Sequence, residues 1–290
     1  LPTKLRKSQI WNIYDYFSLI YGLFEYIIME KKTIREIASA WKEDKRPYVK
    51  RSTFAAYMLI LENHILPYFG EYYVLKENYV QDFVLQKLNS GLSIKSVKDI
   101  LIVLKMMMKF GVKHEWMSYC EWDIKYPTTE SIKSLEVLTI TNHRKILNYI
   151  RKNFTCRNLG VYISLSTGLR IGELCALKWS DIDLNSNVLS INKSMQRIQN
   201  IDKNYPLKTK IVIEAPKSKN SIREIPLTDY VVECIKKVSD DQTKYSANLY
   251  FLTGNEKYME PRTLQYRFKN YLEEAGVDYV NFHTLRHTFA

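Results

Sequence analysis

Residues 166–174 read Ser166-Thr167-Gly168-Leu169-Arg170-Ile171-Gly172-Glu173-Leu174, and the organisation of the chain can be read outward from them. A helical pattern runs into Gly168, which ends it. A second helix over 171–177 follows at once, with Arg170 at its N-terminus. A guanidinium beside backbone N–H donors and the positive end of a helix dipole suits a phosphate oxygen. A local alternative stays open, because Arg170 and Glu173 stand three residues apart and can pair along one helix face.

Downstream, the period changes from helical to alternating. Residues 188–191, 211–213 and 222–225 read as strands, with Ser218-Lys219-Asn220-Ser221 as a turn joining the last two into a hairpin. Lys219 falls at the tip of that turn. Between Lys193 and Arg223 stand Lys193, Arg197, Lys203, Lys208, Lys210, Lys217, Lys219 and Arg223, opposed only by Asp202 and Glu214. A basic ribbon of this kind can lie in a DNA groove, and lysine can deliver a proton or a point charge to phosphate. Protection of an exposed strand edge explains the same lysines equally simply. Helices return over 228–238 and 261–275, separated by a strand-like 249–252, and a final helix starts at His283.

That last helix begins His283-Thr284-Leu285-Arg286-His287. His283 and Arg286 share a face, as do His283 and His287. The two histidines have metal-pair spacing but lack the glutamate of a zinc-binding H-E-x-x-H, so no metal is expected. A histidine one turn from an arginine suits charge neutralisation and proton transfer at an oxyanion. Two arginines, a lysine and a histidine together match the needs of metal-free phosphodiester transfer: cations on the non-bridging oxygens and an acid for the leaving oxygen.

Upstream of residue 166, a helix is expected from Thr141 to about Asn153. Pro127, Thr128, Thr129, Ser131 and Ser134 mark a linker over 122–138. Residues 33–121 read as a compact all-helical domain of four helices. The first opens at Thr33-Ile34-Arg35-Glu36, a capping box, and the second is expected to stop at Pro67. The third ends before Gly91, and the fourth carries an apolar stripe that includes Leu104, Met107 and Met108. Residues 1–32 stay unassigned. Two readings are open there: Met29 as the natural start, or an amphipathic element rich in aromatics over 8–28. The expected fold is mainly α with a small β-sheet and hairpin (α+β), and the second domain covers 139–290.

The 290 residues hold 43 Lys and Arg against 31 Asp and Glu, a formal charge of +12 that points to a polyanionic partner. Cys120, Cys156, Cys175 and Cys234 form no C-x-x-C pair, which argues against a zinc site or disulfide framework and for a cytoplasmic, reduced protein. No apolar run has membrane-spanning length.

Three of these segments carry a family resemblance. Thr167-Gly168-Leu169-Arg170-Ile171-Gly172-Glu173-Leu174, Pro216-Lys217-Ser218-Lys219-Asn220-Ser221 with Arg223, and His283-Thr284-Leu285-Arg286-His287-Thr288-Phe289-Ala290 resemble, in order, motifs of the tyrosine recombinases (phage integrases). Residues 33–116 resemble that family's helical, SAM-like core-binding domain, closest to the integrases of conjugative transposons and Gram-positive prophages. The resemblance implies catalytic roles for Arg170, Lys219, His283 and Arg286, with Lys217 the alternative lysine. It also implies a site-specific recombinase of a mobile element that acts on double-stranded DNA through a phosphotyrosine, without cofactor or metal. Assembly into a tetramer on DNA and a directionality factor are implied partners. The family's tyrosine follows its H-x-x-R box, and none of the 22 tyrosines here follows His283. The chain is therefore read as a fragment, inactive alone, whose nucleophile lies beyond Ala290. A truncated, non-catalytic DNA-binding remnant and a type IB topoisomerase are the competing readings.

Overall fold

The structure is a computed structural model that describes residues 31–128, 136–201, 206–216, 221–240 and 247–289. The chain divides into two compact units, Leu1–Thr129 and Glu130–Ala290.

The first unit is helical in its described residues. Helix α1 (Ile34–Lys45) opens on the expected capping box: the Glu36 N–H donates to Thr33 Oγ1 at 3.2 Å, and the Thr33 N–H donates to the Glu36 carboxylate at 2.7 Å. Helix α2 (Arg51–Ile60) does not stop at Pro67. It runs through a π-helical segment, Leu61–Ile65, into a last turn, α3 (Leu66–Phe69), that contains the proline. Proline has no N–H to give and its ring crowds the carbonyl four residues back. The widened π-turn, in which the Leu66 N–H donates to the Leu61 carbonyl, accommodates it. Helix α4 (Glu77–Asn89) closes with the Gly91 N–H on the Leu88 carbonyl and the Leu92 N–H on the Lys87 carbonyl. Helix α5 (Ile94–Lys113), capped by Ser93, sends Val97, Ile100, Leu101, Leu104, Met107 and Met108 into the core beside Ile37 and Trp41 of α1. The extended segment after α5 is held to this unit, with the Trp122 indole N–H on the Leu75 carbonyl and the Lys125 N–H on Gln81.

The second unit surrounds one apolar core with helices and two small sheets. Its helices are α6 (Ile140–Lys152), α7 (Cys156–Thr167), α8 (Ile171–Ala176), α9 (Asp229–Asp240), α10 (Pro261–Glu274) and α11 (His283–Phe289). Thr139 and Thr155 cap α6 and α7 through their hydroxyls. The strands are β1 (Ile182–Asp183), β2 (Val188–Ile191), β3 (Ser194–Gln199), β4 (Thr209–Glu214) and β5 (Arg223–Pro226). They form an antiparallel sheet in the order β1-β2-β5 and a separate β3-β4 pair.

This pairing corrects the expected hairpin. The strands flanking residues 217–220 do not pair with each other: Ile213 of β4 lies opposite Met195 of β3, and Ile225 of β5 opposite Leu189 of β2. β3 escapes a period-two reading because its fully buried residues, Met195 and Ile198, are three apart. The strand-like 249–252 is not a strand either. Tyr250 alone makes bridges, to Lys178 and Asn255, while Phe251 and Leu252 are buried side by side within a turn. Leu159, Ile163, Leu174, Leu189, Phe268 and Leu285 belong to the core that joins these elements.

Candidate anion site

Gly168 sets the geometry of the site. It caps α7 at φ 65° and ψ 26°, a left-handed conformation that glycine adopts without a Cβ penalty, and turns the chain straight into α8. Arg170 is the residue before α8, and its side chain stays 45% exposed. Gly172 then lets α8 approach β3, since a Cβ there would stand 2.5 Å from the Met195 carbonyl oxygen.

α11 is anchored by buried Thr284 and Leu285, which turns His283 and Arg286 toward the α7–α8 corner. Arg286 Nη1 donates to the Gly168 carbonyl, two residues before Arg170. The Asn281 side chain accepts from the His283 N–H at 3.0 Å and fixes the start of the helix. The His283 and His287 rings meet edge to face with centroids 4.6 Å apart.

Glu173 sits beneath these cations, 2% exposed. Its carboxylate accepts from the Arg170 backbone N–H and Nη1, each at 2.9 Å, and from Arg223 Nη1 and Nη2 at 3.2 and 2.9 Å. Burial opposes its ionisation, but the bonds from Arg223 and Arg170 outweigh burial and hold the carboxyl below the ordinary value. His283 is also lowered, by burial first and then by His287, Arg286 and Arg170. It is therefore held toward the neutral imidazole. Burial and then the charges of Arg170 and Arg223 push the Arg286 guanidinium down as well. Two guanidiniums thus grip one carboxylate, with Arg286 beside them on the Gly168 carbonyl, leaving a net positive site open to solvent at Arg170. Among the described residues, no group of three or more His, Cys, Asp or Glu could hold a metal ion.

Of the residues expected from sequence, Arg170, His283 and Arg286 come together here. Lys219 and its alternative Lys217 lie outside the described residues. Sequence reasoning missed Arg223 as a member of the cluster and saw Glu173 only as a neighbour for Arg170. It also missed a stripe on α5: Lys95, Lys98, Lys105, Lys109 and Lys113 are all exposed and recur at helical spacing on one face, a signal available in the sequence.

The phage integrase family matches residues 136–290, more than half of the chain. The chain belongs to this family. The N-terminal SAM-like domain of phage integrases matches residues 33–88 of the same integrase chain. A XerC-like tyrosine recombinase of Caldanaerobacter subterraneus is 28% identical, over 89% of this chain and 71% of its own length. The ICEBs1 integrase of Bacillus subtilis is 22% identical over 79% of this chain but 62% of its own length. The Tn916 transposase of Enterococcus faecalis is 21% identical over 74% of this chain and 55% of its own length. The fold is also similar to that of a Tn1549 transposon integrase in complex with transposon right end DNA, with a TM-score of 0.69 at 19% identity, covering 89% and 85% of the two chains. Lambda integrase bound to DNA gives 0.59 at 14% identity, covering 89% of this chain and 85% of its own. Among the described residues no helix is long and apolar enough to cross a membrane.

Proposed function

We propose that this integrase belongs to a site-specific recombinase of a mobile element, one that binds duplex DNA and exchanges strands through a phosphotyrosine. The observation that carries the reading is the convergence of Arg170, Arg286 and a neutral-leaning His283 on one solvent-open, net positive surface. Arg170 and Arg286 hold the scissile phosphate by its non-bridging oxygens. A tyrosine oxygen attacks phosphorus, the bond from phosphorus to the 5′-oxygen breaks, and Lys219 gives the leaving oxygen its proton. His283 assists proton transfer. The reaction conserves phosphodiester energy and calls for neither metal nor nucleotide. The attacking tyrosine is not assigned to a residue of this chain. A chain that occupies its sites without cutting them is the alternative.

The five exposed lysines of α5 support a DNA-binding face on the helical domain of residues 33–121, read here with 122–138 as linker and 139–290 as the catalytic domain. Lambda integrase has been solved as a dimer on a core site and as a tetramer on a Holliday junction, which supports assembly on DNA here too. A directionality factor and a cytoplasmic location complete the reading.

Binding of duplex DNA across a salt series tests it. Each phosphate neutralised contributes about 0.9 to the slope of log affinity against log salt, so Lys98, Lys105 and Lys109 replaced together by alanine should lower the slope by about 2 to 3. A slope unchanged in the triple variant would remove α5 from the interface. An affinity indifferent to salt in the parent chain would refute DNA binding through this charge.

A further inference from the structure

A carboxylate as buried as Glu173 requires a cation close by, because an isolated buried charge is costly. Arg170 is one candidate, through its Nη1 and its backbone N–H. If it were the only one, its charge would be neutralised by Glu173, and Arg286 alone would present a net positive charge at that corner to an anion. Arg223 changes the balance. It spans both carboxylate oxygens with both terminal nitrogens, and Nη1 also donates to the Ser221 carbonyl at 3.1 Å. Its backbone is fixed by the β2–β5 ladder, opposite Ile191. Its side chain is 25% exposed against 45% for Arg170, so it is the more deeply committed of the two. One carboxylate between two guanidiniums leaves a single positive charge, and Arg170 is the group that presents it to solvent.

We propose that Arg223 is a positioning residue: it is the counter-ion of Glu173, so that Glu173 can orient Arg170 without cancelling its charge toward the phosphate. This rests on the phosphate-site reading above. With both terminal nitrogens on Glu173, Arg223 acts through that carboxylate rather than on the phosphate itself. A lysine at this position would keep the charge but lose the two-point grip.

The prediction is a dependence on background. In the full-length protein, covalent adducts would be followed on a nicked duplex spanning the ends of the element that carries the gene. Arg223→Ala should slow them by about ten- to a hundredfold, less than the ~10²–10³ of removing a preorganised donor outright. Arg223→Lys should recover most of the rate. In a Glu173→Gln background, where there is no carboxylate charge to balance, Arg223→Ala should cost less than about twofold, since the two residues act as one unit. A second measurement needs no cleavage. Inorganic phosphate should raise the melting temperature of the present chain, Arg223→Ala should shrink the rise, and the Arg223→Ala, Glu173→Gln double variant should restore it. Equal losses from Arg223→Ala in both backgrounds, or a phosphate response indifferent to Arg223, would overturn the proposal. If the parent protein makes no adduct while the phosphate pattern holds, strand transfer fails and the counter-ion assignment stands.

Discussion

Arg223 Nη2 lies 2.9 Å from Glu173 Oε2, while Arg170 Nη1 lies 2.9 Å from Glu173 Oε1, so the same buried carboxylate joins β5 to the start of α8. The pair also couples the site to the stability of the fold in acid. The carboxyl is depressed in the folded state, so its contribution is fully present above the unfolded value near 4.3 and is lost as pH falls through the lower folded value. Protonation there would also leave Arg170 and Arg223 facing each other without their shared anion. Melting temperatures of the wild-type chain and Glu173→Gln, compared from neutral pH downward, should converge below pH ~4.3. A constant difference down to the acid limit would show that Glu173 does not titrate as described.

His283 should titrate below the ordinary histidine value, because burial and the neighbouring His287, Arg286 and Arg170 all disfavour its charged form. A depressed histidine adds stability above its unfolded value of about 6.5, lost as pH falls from there through the folded value. Ring-proton NMR should give a midpoint under that of a free histidine, moving up in His287→Ala and on addition of a phosphate-bearing oligonucleotide. A midpoint at or above the free value would contradict the positive surroundings.

Gly172→Ala sets two effects against each other. Replacing a helical glycine by alanine gains up to ~1 kcal/mol in propensity. The new methyl, however, would stand 2.5 Å from a backbone oxygen of β3, and backbone cannot step aside as a flexible side chain does. Overpacking of this kind costs about 1–3 kcal/mol, so the variant should melt lower. A higher melting temperature would mean that α8 and β3 are not in close contact.

Lys219 carries the assignment of general acid. A 5′-bridging phosphorothiolate has a leaving group that needs no proton, so it should rescue cleavage by Lys219→Ala and leave Arg170→Ala defective. Rescue that follows Lys217→Ala instead would keep the chemistry and move the residue. Normal cleavage of ordinary DNA by both variants would leave these lysines as solvated surface.

What the sequence revealed was whatever rests on local chemistry. The Thr33 capping box, the Gly168 break and the helix start at 261 are each decided by a few neighbouring residues, and all stand where their side chains put them. Strand partners are decided elsewhere. Nothing near 211–213 or 222–225 tells that their partners are β3 and β2, because pairing depends on burial across the whole unit. The same limit hid Arg223, fifty residues from Glu173 in the chain, whose partnership only tertiary structure could bring about. The lysines of α5 are different, being local and periodic on the face opposite that helix's apolar stripe.

Arg170 and Arg286 are proposed to hold jointly the phosphate at which the strand is cut. The most direct measurement is the rate of covalent protein–DNA adduct formation on a nicked duplex by the full-length protein, comparing the parent with Arg170→Ala and Arg286→Ala. Each variant should lose about 10²–10³ in rate, the typical cost of one preorganised donor to a developing charge, while still binding duplex DNA. Adducts forming at the parent rate in either variant would contradict the account, because the phosphate would then lie somewhere other than this corner.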